Sequence, residues 1–200
     1  MPSYILTGAP GAGKTAVLRM LEVAGYAVVE EAATDVIMLG NALGRDEPWQ
    51  DRDFIGKVLA LQRQRQDAAR ADLGTVFFDR SPACTLALSR YLAAYTGTAP
   101  SPPLDGEVSA LMARGGYETM VFFMRNLGFI QPTTARRISF EDSLAFERIH
   151  EETYRELGFS LVDVPAGPLA GRVDLIRQTV RAASVAVRSH RSSPRAEQAS

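Results

Sequence analysis

The sequence predicts an α/β fold: one open, parallel, five-stranded sheet with helices packed on both faces. Three observations predict it. Short apolar runs alternate with longer amphipathic stretches along the chain, the order that builds parallel sheets with helical crossovers. Each short run is continuously apolar, as strands covered on both sides are. The turn between the first run and the first amphipathic stretch is rich in glycine and carries Lys14, one of only two lysines in the chain.

The predicted strands, in order, are Tyr4–Thr7, Tyr26–Val29, Thr75–Phe78, Thr119–Phe123 and Ser160–Val164. Between and after them, helices are predicted over Lys14–Ala24, Glu31–Leu43, Asp51–Asp72, Pro82–Tyr95, Asp105–Arg114, Phe140–Leu157 and Gly171–Val187. Gly25, Gly74, Gly97, Gly115 and Gly158 stand where helices should stop. Ser81-Pro82 and Ser139 with Asp142 stand where helices should start. The stretch Thr96–Asp105 reads as a Pro-rich loop, because sheet elements continue beyond it. Arg188–Ser200 has no apolar residue but two alanines. It is expected to be a disordered tail after a single domain over residues 1–187.

Composition narrows the function. With 46% hydrophobic and 22% charged residues among 200, the chain is an ordinary globular one, long enough for a real core. Its net charge of −1 gives no basic field to hold nucleic acid. No run reaches 18 apolar residues, so no membrane span is expected. The N-terminal residues do not read as a signal peptide, and a single cysteine, Cys84, fits a reducing compartment. A cytoplasmic location is the expectation. Oligomeric state stays open, a homodimer included.

The strongest signal is Gly8-Ala9-Pro10-Gly11-Ala12-Gly13-Lys14-Thr15, a match to G-x-x-x-x-G-K-[ST] at every position. It follows an apolar strand and opens an amphipathic helix, as the chemistry requires. Glycines let successive backbone N–H groups turn inward onto phosphate oxygens, and the helix N-terminus that continues through Ala16 adds its partial positive charge. Lys14 is expected to reach the β- and γ-phosphates and the Thr15 hydroxyl to bind Mg²⁺. The loop predicts a nucleoside triphosphate site.

The remaining residues sort among proteins with such loops. Motor-type ATPases need an apolar strand ending in Asp-Glu, and no strand here ends so; Thr75–Phe78 runs into Asp79-Arg80-Ser81. Guanine readers of the N-K-x-D type are absent. What is left is similar to a small-molecule kinase. Ligands of parallel sheets lie beyond the carboxyl ends of strands, where Glu30, Glu31, Asp79 and Arg80 fall. A carboxylate there could take the proton of an attacking hydroxyl. Glu31 or Glu30 is preferred as that base, with Asp79 at the metal or just behind it; the reverse order is also open. Glu31, Arg80 and Arg125 are the candidate acceptor contacts. The segment Arg125 to Glu141 reads as an arginine-bearing lid over about residues 125–140, with Arg136 and Arg137 closing on the phosphates. Pro165, after the last strand, is a candidate adenine contact. His150 is expected to be a structural or surface histidine, and Cys84 a core residue. The run Gln62–Gln66 is expected to be a solvated face that could lean over the cleft.

Taken together, TGAPGAGKT, VVEEAATDVI, FFDRSP, PTTARRISFEDSLAFERIHEETYRELGF and LVDVP resemble the bacterial predicted ATPases of the AAA-like, kinase-related P-loop group that includes the ribosylnicotinamide kinase domain. The resemblance covers roughly residues 3–185. It implies a P-loop NTPase three-layer sandwich of the nucleoside/nucleotide-kinase type, with sheet order 2-3-1-4-5, ATP and Mg²⁺ as cofactors, and phosphoryl transfer to a small-molecule acceptor. It names no acceptor. The alternative is a nucleotide-switched binding or regulatory ATPase without one; a plain ATPase, lacking an evident water-positioning residue, ranks last.

Overall fold

The computed structural model describes residues 2–69, 74–96, 104–114, 116–129 and 138–191. Five strands form one parallel sheet: β1 (Ser3–Thr7), β2 (Ala27–Val29), β3 (Val76–Asp79), β4 (Tyr117–Met124) and β5 (Ser160–Val164). Their order across the sheet is β2-β3-β1-β4-β5, with Ile5 beside Phe78 on one side and Val121 on the other. Both the parallel arrangement and the order agree with the expectation.

The helices are α1 (Lys14–Val23), α2 (Ala32–Ala42), α3 (Phe54–Ala68), α4 (Pro82–Thr96), α5 (Asp105–Arg114), α6 (Phe140–Glu156) and α7 (Leu169–Arg191). A 3-10 turn, Pro48–Gln50, precedes α3. That helix starts at Phe54 rather than at the expected Asp51, because Asp51 closes the 3-10 turn with its N–H on the Pro48 carbonyl. The last helix runs on to Arg191, past the domain end expected at 187.

Successive strand side chains point to opposite faces, so neighbouring residues feed different layers. Leu6, Phe77 and Phe122 pack with Val17, Leu21, Val173 and Ile176 beneath α1 and α7. Ile5 and Val121 pack instead with Leu59, Leu86, Val108 and Tyr154 beneath α3 to α6. Each such buried side chain contributes roughly 1.5–3 kcal/mol. Both layers leave the carboxyl ends of β1, β2 and β3 side by side at one edge, where the site lies.

Candidate functional site

The loop after β1 is shaped by glycine at two crucial points. Gly8 has φ +130°, and a Cβ there would stand 2.3 Å from the Met124 carbonyl oxygen of β4. Gly13 has φ +77°, and its Cβ would meet the Arg172 guanidinium at 2.9 Å. Backbone crowding leaves no room for a Cβ at Gly8, and the left-handed φ beside Arg172 favours glycine at Gly13. Lys14 lies folded over the loop, its Nζ donating to the carbonyls of Gly8 and Ala9, both at 3.0 Å. Burial, then Arg80, lowers its pKa to about 8.

Beyond the loop opens a cavity of about 670 Å³, within the range of small-molecule sites. Pro10, Gly11, Gly13, Lys14 and Thr15 form its phosphate end. Glu31 and Arg80 stand next to them, Gln62, Cys84 and Thr85 follow, and Ile37, Trp49, Phe54, Leu88, Tyr91 and Phe146 make the apolar wall.

Glu31 is the first residue after β2 to face this cavity, and it stands at the N-cap position of α2. Its Oε1 pairs with Arg80 Nε at 2.5 Å and its Oε2 accepts from Thr34 Oγ1 at 2.8 Å. Burial would raise its pKa, but Arg80 and Lys14 outweigh burial and leave it lowered. Arg80 in turn meets His150 Nε2 through Nη1 at 3.1 Å. Asp79, the last residue of β3, is buried, and its Oδ1 has no hydrogen-bond partner among the described residues. Burial, then Glu31, raises its pKa to about 6.

The structure separates residues that the sequence left together. Glu30 points away from the cavity onto the α1 surface, where it pairs with Arg19 at 2.5 Å; successive residues leaving a strand face opposite sides. Arg125 does not line the cavity either. It sits among Glu147, Glu151 and Asp163 at 3.3, 2.9 and 2.8 Å, because β4 delivers it next to β5 and under the acidic face of α6. Pro165 and Ala16 are exposed and outside the cavity lining. Arg136 and Arg137 lie outside the described residues, as does half of the expected lid, residues 130–137. His150 and Cys84 are buried, as expected of structural residues, and Cys84 also lines the cavity. Gln62 turns inward, its Nε2 donating to the Ser81 carbonyl at 3.1 Å and its Oε1 accepting from Thr85 at 2.8 Å.

Sequence reasoning missed Phe54 and Phe146 of the aromatic wall, which join Trp49 from separate elements. It also missed Arg172, near the start of α7, which donates to the Ala12 carbonyl at 2.8 Å and to the Arg125 carbonyl at 3.3 Å. The one available signal was an arginine on the buried stripe of α7, one residue before Val173.

Known proteins place this architecture. Among solved structures, NadR protein in complex with NAD and AMP-PNP superposes with a TM-score of 0.67 at 17% identity, over 88% of this chain and 49% of that one. The chain thus spans about half the length of the NadR chains it matches. Deoxyadenosine kinase from M. mycoides with bound dCTP gives 0.67 at 12% identity, over 90% and 99%. Thymidylate kinase from Candida albicans gives 0.61 at 9%, over 92% of each chain. These likenesses show a P-loop fold shared with nucleoside and nucleotide kinases. No curated protein matches by sequence. A family profile described as an AAA domain matches residues 3–172, and with that share of its length covered the chain belongs to this AAA domain family, on a kinase-related P-loop NTPase fold.

Proposed function

We propose that the protein is an ATP-dependent phosphotransferase acting on a small acceptor of nucleoside or nucleotide size, through a hydroxyl or phosphate oxygen. One observation carries the reading. The phosphate loop opens onto a walled cavity with a carboxylate at its near end and aromatic side chains at its far end. A nucleotide switch needs no such second compartment. The NadR and deoxyadenosine kinase structures hold AMP-PNP and dATP, which supports ATP as donor.

In this reading Lys14 and the loop amides hold the phosphates. Thr15 and Asp79 suit Mg²⁺: the first lines the cavity, and the second has a buried carboxylate oxygen with no partner among the described residues. Magnesium there would neutralise charge between the β- and γ-phosphates. Glu31, ionised at neutral pH and oriented by Arg80 and Thr34, takes the proton of a hydroxyl acceptor. The acceptor oxygen then bonds to the γ-phosphorus, the β–γ bridge breaks and ADP leaves. Arg136 and Arg137 are proposed to close over the transferring group.

The test is an acceptor panel with ATP and Mg²⁺, built from nucleosides, their monophosphates and other hydroxyl metabolites, read by ADP release and ³¹P NMR. One acceptor class should drive ADP formation. With that acceptor, Glu31→Gln should cost roughly 10²–10⁴ in kcat while nucleotide affinity stays within a few-fold. Nucleotide binding with no acceptor consumed would instead favour the switched module.

A further inference from the structure

Arg172 is a buried cation in an unusual position. It is 5% exposed, and no carboxylate pairs with it among the described residues. Among the described residues its hydrogen-bond partners are carbonyl oxygens, of Ala12 at 2.8 Å and of Arg125 at 3.3 Å, and its Nε has none. Burying an unpaired guanidinium is costly, so something other than packing of α7 must justify it.

The geometry of the peptide unit supplies the reason. The Ala12 carbonyl and the Gly13 N–H belong to one planar trans peptide, which points them in opposite directions. Arg172 approaches that peptide closely, its Nη1 2.9 Å from where a Gly13 Cβ would stand. Holding the carbonyl outward turns the N–H inward, onto the side where Lys14 and Thr15 line the cavity. We infer that Arg172 is a positioning residue of the phosphate site: it fixes the Ala12–Gly13 peptide so that the Gly13 N–H faces the bound phosphate. Its charge also polarises that peptide, strengthening the N–H as a donor. The left-handed backbone at Gly13 (φ +77°) and the close approach of Arg172 are then two demands of one arrangement. The inference rests on the phosphate-binding reading of the loop and assigns nothing to the acceptor.

The experiment is a pyrophosphate titration of protein labelled with ¹⁵N-glycine, followed by amide shifts, with calorimetry for affinity. In the parent chain, pyrophosphate should move the Gly13 amide strongly downfield. Arg172→Met should lose most of that shift and weaken pyrophosphate binding roughly tenfold or more, the loss expected for one hydrogen bond to a charged group. Arg172→Lys, whose ammonium can still reach the Ala12 carbonyl, should stay within about threefold of the parent. Gly25 and Gly158, remote from the loop, report whether the variants keep the fold. A folded Met variant with parent affinity and an unchanged Gly13 shift overturns the inference. So does a parent in which pyrophosphate moves Gly8 or Gly11 but leaves Gly13 still, a result that needs no variant at all. If no loop glycine responds in the parent, the phosphate-site reading itself fails.

Discussion

Arg80 is the one non-glycine residue with a left-handed backbone among those described, at φ 70°, a conformation that costs of order 1–3 kcal/mol. Its surroundings over-determine it. The backbone N–H donates to the Leu6 carbonyl at 3.0 Å, Nε pairs with Glu31, and Nη1 meets His150. The last contact fixes a tautomer. His150 Nδ1 lies 3.0 Å from the Phe146 carbonyl, which can only accept, so Nδ1 carries the proton and Nε2 offers its lone pair to Arg80. A neutral ring is required, and burial, then Arg80, with Lys14 beyond it, holds the His150 pKa well below the usual 6.5. The unfolded chain binds a proton at this position below about pH 6.5 and the native chain does not. The stability His150 contributes is therefore full above pH 6.5 and falls as the solution is acidified, by up to about 1.4 kcal/mol per pH unit. Asp79 works the other way between its ordinary 3.8 and about 6, where the native chain holds the extra proton. The discriminating quantity is thus the difference between the parent and His150→Gln in urea unfolding. The parent should lead at pH 7 and its lead should shrink steadily towards pH 5. A lead that stays constant over that range would remove the buried neutral histidine from the account.

At the scale of elements, the apolar wall of the cavity depends on how α2 seats the 3-10 turn that carries Trp49. Gly40 is the contact point: a Cβ there would stand 2.5 and 2.6 Å from Pro48 Cγ and Cβ. Gly40→Ala gains about 1 kcal/mol of helix propensity but must displace a rigid proline ring, which typically costs about 1–3 kcal/mol. The expected outcome is a net loss of up to about 2 kcal/mol together with a shifted emission of Trp49, the only tryptophan in the chain. Unchanged stability and emission would show that this packing is looser than described. Elements of this kind were partly legible in the sequence. The strands and α1, α4, α5 and α6 announced themselves because burial on one stripe or on both faces leaves a local pattern, and Ser139 caps α6 through the Asp142 N–H at 3.0 Å, as its position suggested. The start of α3 was not legible, since Asp51 serves the preceding turn. Nor could the sequence choose between Glu30 and Glu31: which one faces the cavity depends on the register of β2 against β3, with Val29 beside Phe78. The Arg172–Ala12 contact joins positions 160 residues apart, and no short window contains it.

The whole molecule assembles its site from both ends of the chain. The phosphate loop follows β1, which lies between β3 and β4 at the centre of the sheet, and Arg172 ties that loop to the last helix. Arg80, after β3, is held by Glu31 from the β2 side and by His150 from α6, so β2, β3 and α6 must be in place together for the cavity to exist. Unfolding any of these layers destroys the phosphate site, and ligand binding should stabilise the fold as a unit. Mass action sets the size: a ligand at a hundred times its Kd adds about 2.7 kcal/mol, which for a domain of this length corresponds to about 5–10 °C in melting temperature. AMP-PNP with Mg²⁺ should produce that shift in the parent and, in the proposed role of Glu31 as a contact to the acceptor rather than the nucleotide, in Glu31→Gln as well. Lys14→Met removes the ammonium that would reach the phosphates, along with its own ties to Gly8 and Ala9, and should abolish the shift. Melting each free variant separates the second effect from the first. An equal shift in parent and Lys14→Met would place nucleotide binding somewhere other than this loop.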